Sequence, residues 1–378
     1  MTSRPLALAL GLAIGLASLP ADAAPKPHAI AHAKAGMAQP SKGARLTALY
    51  EQYWEETLKL NPLQATFQGD PRYNDQLPDF GSAAFRAKSH DFTARWLKKI
   101  QAVGPNGLSG QDLLSYQIFV DGAKRSLEGE RFPDWMMPIN QMGSIPSYAV
   151  MFGSGTGPQP FKTVKDYDNW LKRANRLPTL FDTSIANMRI GMKQGVVQPR
   201  VLMVKVVPQL DALIKDKPEE TLFWGPVANM PKAFPAADRA RLTKAYRSLI
   251  ADRLLPSYRK LRAFINDEYL PATRDTYGLD KLPNGQAWYA YAVRNSTTTT
   301  RSPAQIHQIG LDEVARIHGE IRKVMAQVGF KGSLQEFFTF MRTDPQFNFK
   351  TEDELLGYYR AIEKKLEAGV PKQFSLVP

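Results

Sequence analysis

The 378 residues contain no cysteine. That excludes disulfides, thiolate nucleophiles, cysteine-ligated metals and a lipid-bearing cysteine at the N-terminus. Histidine is scarce, with five in the chain, and none opens an H-E-x-x-H: His307 is followed by Gln308 and His318 by Gly319, and His28, His32 and His90 supply no glutamate. A thermolysin-like zinc site needs two histidines on one helical face with a general base beside them, so that chemistry has no carrier here. Gly153-Ser154-Gly155-Thr156-Gly157 lacks the Gly-Lys-Ser/Thr of a phosphate loop and the spacing of a nucleophile elbow, and reads as a mobile flap or plain turn. Ser257 and Lys260 match S-x-x-K, but no S-D-N or K-T-G accompanies them. The sequence shows no complete catalytic set and no metal-ligand set.

Also missing is a dense basic run. The net charge is +13 and the pI about 9.6, yet Lys and Arg are interleaved with Asp and Glu. That pattern reads as solvated surface charge, without a nucleic-acid signature. The one long apolar run, Leu6 to Leu19, is too short for a comfortable membrane span. With Arg4 before it and Ala21-Asp22-Ala23 after it, it reads as a signal peptide cleaved after Ala23. The expectation is a periplasmic or secreted protein with no stable membrane anchor after cleavage. Residues 24–43, rich in Ala, Pro, Lys and Gly, read as a disordered leader.

What the chain has in quantity is helix signals. The clearest begins at Ser302, an N-cap followed by Pro303 and by Gln305, which completes a capping box. Ile306, Ile309, Val314, Ile317, Ile321, Val324 and Val328 recur at three- and four-residue steps up to Gly329, predicting a helix over about 303–328. His307 and His318 lie eleven apart on it, about 16 Å, too far to share an ion, and are expected as partly buried structural residues. Glu313 and Glu320 are two turns apart, which suits surface or interhelix pairing. Further helices are expected from Ala44 to before Asn61-Pro62, near 83–103, and after Ser109. Others should start at Thr163, after Pro178 as far as Gly195, and at Ser333 and Thr351. Residues 236–269 read as one long helix kinked or broken at Pro256. Residues 199–214 are β-branched enough to leave a strand as the alternative, and 132–161 is the longest irregular stretch. Fold class: all-α, a large multi-helix array with long irregular loops and no clear domain boundary.

Several separated stretches resemble, in order and spacing, the bacterial family catalogued as domain of unknown function 885. They are PLQATFQGDPRYNDQLPD (62–79), PINQMGS (138–144), DYDNWLKRANRLP (166–178), GMKQGVVQPRVLM (191–203), YLPATRDTYGLDKLPNG (269–285) and TTTTRSPAQIHQIGLDEVARIHGEI (297–321). The resemblance covers about 44–378 and corresponds to the N-terminal two-thirds of a longer family pattern. It implies an exported helical protein similar to zinc-dependent peptidases of the gluzincin kind. The family's metal motif has no counterpart here, so zinc is expected only in a full-length member and no cofactor in this chain. Two explanations stay open: a truncated or split reading frame, or a short protein that kept the scaffold without the chemistry. Under the first, Tyr289, Tyr291, Arg294 and Thr298 would wall a cleft for a peptide or small-molecule substrate, with Asn140 and Gln141 facing them. The alternatives are ordinary packing and capping for these six residues, and a non-catalytic periplasmic peptide-binding role for the protein.

Overall fold

In the computed structural model, residues 41–376 are described. The signal peptide and most of the expected leader lie outside them. The described part is helical throughout; its only β-type pairing is an isolated bridge between Pro199 and Arg274. Contacts divide the chain into one compact unit reaching to His307 and another beginning at Gln308.

The first unit opens on α1 (Lys42–Leu60), whose Ser41 hydroxyl accepts the Ala44 N–H. The helix therefore starts inside the expected leader, because a capping serine precedes it. α2 (Pro62–Phe67) follows, then α3 (Ala83–Gln101) and α4 (Gly110–Gly129). α1, α3 and α4 pack together around Leu46, Ile100, Val103 and Tyr116. The stretch 132–161 is less irregular than its composition suggests: a 3₁₀ turn at Asp134–Met136 and α5 (Ile145–Gly153) lie within it.

α6 (Val164–Ala174) begins with the expected Thr163–Asp166 capping box, and α7 (Leu177–Gln194) ends at Gly195 with φ +71°. The β-branched stretch forms α8 (Arg200–Met203) and α9 (Val206–Leu213), not a strand. Its buried residues Met203, Val206 and Leu210 recur at helical steps, and the period outweighs the propensity. After α10 (Gly225–Ala228) come α11 (Ala236–Leu249), α12 (Leu255–Ala263) and α13 (Leu270–Ala272). π-helical turns at Ile250–Leu254 and Phe264–Tyr269 join these three. There is no break at Pro256. Pro256 and Pro271 each fall two residues after a π turn, where the wider turn accommodates a ring that an α-helix interior excludes.

The main core gathers Phe152, Tyr167, Trp170, Leu180, Phe181, Tyr246, Tyr258 and Tyr269 among many aliphatics. α14 (Gly285–Thr297) contributes Trp288 to a smaller cluster with Phe132, Met136, Val196 and Leu282.

α15 (Pro303–Gln327) carries the chain across the boundary at His307 and realises the Ser302–Gln305 capping box. In the second unit α16 (Leu334–Thr343), α17 (Glu352–Glu367) and α18 (Val370–Gln373) follow. Phe330, Phe337, Phe340 and Phe347 make an aromatic cluster there. Much of the apolar face expected to be buried is not: Val314, Ile317 and Val324 on α15 and Val328 just after it are exposed, as are Leu355, Leu356, Tyr359, Ile362 and Leu366 on α17. His307 is exposed and His318 half-buried. Glu313 pairs with Arg316 and Glu320 with Lys323, both along the surface of α15.

Candidate functional site

Arg173 organises the first resembling stretch. It lies on the buried face of α6, between Trp170 and Leu177, and is 1% exposed. No carboxylate forms an ion pair with it among the described residues. Instead its N–H groups donate to the carbonyls of Gln76, Pro62 and Tyr73, to the Thr66 hydroxyl and to Gln159 Oε1, at 2.6–3.4 Å. Desolvation lowers its pKa to about 10, so it remains charged at neutral pH. Three of these acceptors are backbone carbonyls of 62–79, a turn-rich segment. One buried guanidinium thereby fixes that segment against α6. The sequence signal was present, since a charged residue fell on the apolar stripe of Tyr167, Trp170, Ala174 and Leu177.

A second set of bonds fixes the 138–144 loop. Gln198 Nε2 donates to the carbonyls of Met137 and Ile139, and its backbone N–H donates to the Tyr269 hydroxyl. Arg274 donates to the Val197, Thr276 and Gly278 carbonyls, tying 191–203 to 269–285. Within the loop, Asn140 Oδ1 accepts the N–H groups of Met142 and Gly143 at 2.8 and 3.0 Å.

Between these two fixed segments lies a cleft of about 710 Å³. Leu63 and Phe67 from α2, Phe80 and Gly81 before α3, Trp135, Gly143, Tyr148 and Phe152 line it, with Ser184 and Asn187 from α7. Phe67 and Tyr148 are about half exposed, at 54% and 50%. Exposed aromatics at the rim of a concavity of this size are the usual make-up of a ligand site. Its polar end is built on the Gly81 carbonyl, which accepts from Arg86 Nη1 at 2.5 Å and from Asn187 Nδ2 at 2.9 Å. The Arg86 guanidinium carbon stands 4.0 Å over the Trp135 ring. Asp134 adjoins it; partial desolvation raises its carboxyl pKa, and the Arg86 charge opposes the rise. Asp79 gives one oxygen to the Thr183 hydroxyl, while its buried Oδ1 has no hydrogen-bond partner.

The six residues singled out from the sequence divide into two groups. Tyr291 donates its hydroxyl to the Arg125 carbonyl, and Arg294 pairs with Glu128, so both bind α14 to α4. Tyr289 is 42% exposed. Thr298 is the C-cap of α14, at φ +52°, with its hydroxyl on the Thr297 carbonyl. Asn140 shapes the loop beside the cleft. Gln141 lies on a neighbouring groove with its Oε1 buried and unpartnered, and its carbonyl accepts from Gln209. No hydrogen bond or ion pair among the described residues joins Asn140 or Gln141 to the α14 group. Sequence reasoning missed Arg86, Trp135 and Asn187, which lie outside the resembling stretches on different elements.

Taken together, the molecule is an all-α scaffold carrying an aromatic cleft walled by segments distant in sequence. The chain belongs to the family described as "Bacterial protein of unknown function (DUF885)", whose sequence pattern matches residues 62–378. Among solved structures it is similar to one titled "The crystal structure of the putative lipoprotein from Colwellia psychrerythraea", with a TM-score of 0.72 and 20% identity. The match covers 90% of this chain and 61% of that one. The likeness shows a shared fold. No curated protein matches the chain.

Proposed function

We propose that this chain is the substrate-holding scaffold of an exported hydrolase of the peptidase kind, and that the cleft takes a peptide or small molecule. The carrying observation is convergence: the resembling stretches 62–79 and 138–144 both wall the cleft, and Arg173 and Gln198 from two others hold them in place. The residues present do not fit a zinc ion. No group of three or more His, Asp or Glu side chains among the described residues could hold a metal, so no step is routed through one. In this reading the described residues bind the ligand without cleaving it. A purely binding role in the periplasm uses the same cleft and is told apart by whether added catalytic residues ever cleave what it holds.

Trp135 on the cleft wall offers a direct readout. Titrating the purified chain with acylated aromatic dipeptides should change its tryptophan fluorescence and leave the peptides intact, with or without added zinc. Hydrolysis of the peptides by the purified chain, or no binding at millimolar peptide, would overturn the proposal. Export is tested separately: the mature protein should be recovered from the periplasm or medium with Ala24 as its first residue. An intact N-terminus in the cytoplasm would contradict it.

A further inference from the structure

We propose that the cleft recognises a ligand ending in a carboxylate on an apolar, aromatic-sized body, and that Arg86 holds the carboxylate. This deepens the cleft assignment above and rests on it. Most arginines with defined partners are spent. Arg72, Arg95, Arg189, Arg241, Arg247, Arg262, Arg294 and Arg316 each pair with a carboxylate, and Arg173 is saturated by five oxygens. Arg86 faces the cleft with one hydrogen bond, from Nη1 to the Gly81 carbonyl, and no ion pair among the described residues.

Its remaining N–H groups have no acceptor among the described residues, yet the side chain is held. The Gly81 bond anchors one corner, and Trp135 at 4.0 Å sets the plane. A planar fork fixed in this way is preorganised for two parallel bonds to a carboxylate, and little side-chain entropy is lost on binding. Asn187 Nδ2 donates to the same Gly81 carbonyl, so the atom that anchors Arg86 is itself held. One wall of the cleft is apolar: Phe67, Phe80, Ile145 and Phe152 form a surface on which one large side chain can lie. The acidic side chain in the lining is Asp134, which makes no ion pair with Arg86 among the described residues. It is the group a ligand carboxylate must approach, so its removal should help binding.

The test compares N-acetylphenylalanine with its carboxamide by calorimetry on the full chain. The two probes share the apolar body and differ in the carboxylate. The acid should bind at least about tenfold more tightly, as expected for a charge-assisted bidentate contact. Arg86→Met should erase that difference while leaving amide binding in place, and Asp134→Asn should strengthen acid binding. Equal binding of acid and amide would overturn the role of Arg86 and leave the cleft assignment standing. Failure of both probes to bind would remove the cleft assignment and this inference with it. If Arg86→Met does not fold, the acid–amide comparison on the unmodified chain still decides.

Discussion

At the scale of single residues, the side chains that matter most are ones whose chemistry and surroundings disagree. Arg173 is a full charge inside the core, made tolerable because each donor reaches a neutral oxygen. Arg173→Met should therefore cost about 3 kcal/mol or more, since several buried carbonyls lose their donors. Urea unfolding monitored by circular dichroism measures it. Arg173→Lys should recover little, because a single ammonium cannot span the same acceptors. By contrast, Arg294→Ala removes a partly exposed pair with Glu128, and its effect on unfolding should stay within about 1 kcal/mol. Tyr291 and Arg294 were legible as polar groups in a distinctive stretch. Their partners on α4 lie 166 residues away and were not.

At the scale of elements, caps and periods were readable because they are local. Ser302 with Gln305, Thr163 with Asp166 and Ser333 with Glu336 all form the boxes their spacing announces. Ser109 marks the start of α4, although its hydroxyl makes no capping bond. The π turns were not readable, since a proline after a long helical run is equally compatible with a kink, a break or a widened turn. α7 supplies a sharper case. Replacing a mid-helix glycine by alanine ordinarily adds about 1 kcal/mol of stability. At Gly191 a Cβ would meet the Val196 carbonyl oxygen at 2.5 Å and the Met136 carbonyl oxygen at 3.1 Å, both backbone. Gly191→Ala should therefore lower the melting temperature, by about 1–3 kcal/mol of stability. Gln198→Ala should act differently. It frees the Met137 and Ile139 carbonyls, so amide exchange should quicken across 138–144 with only a small change in global melting.

At the scale of the whole molecule, burial sets the alkaline limit. Tyr167 and Tyr269 are pushed up to about 12, and Tyr246 and Tyr258 well above the ordinary phenol range, all through desolvation. Below pH 10 these phenols are protonated in folded and unfolded chains alike. Above it the unfolded chain releases protons that the folded chain keeps, so stability should fall as pH rises from 10 towards 12. Arg173 runs the other way over the same window, and one guanidinium does not offset four phenols. Melting curves between pH 8 and 11 should stay level and then drop. The exposed apolar faces of α15 and α17 carry a second expectation. Leu356→Gln together with Leu366→Gln should change the melting temperature little and reduce concentration-dependent light scattering, because these side chains are 47% and 65% exposed.

The sequence by itself determined the helical class, most helix starts and the family. Those depend on periodicity, capping and composition, which act over a few residues. The tertiary structure alone decided that 199–214 is helical, that Arg173 is buried, and that Arg86, Trp135 and Asn187 share a cleft with Phe67 and Tyr148. Those facts depend on which distant segments come to lie side by side, and no spacing along the chain encodes the contact of Gly81 with Asn187, 106 residues apart.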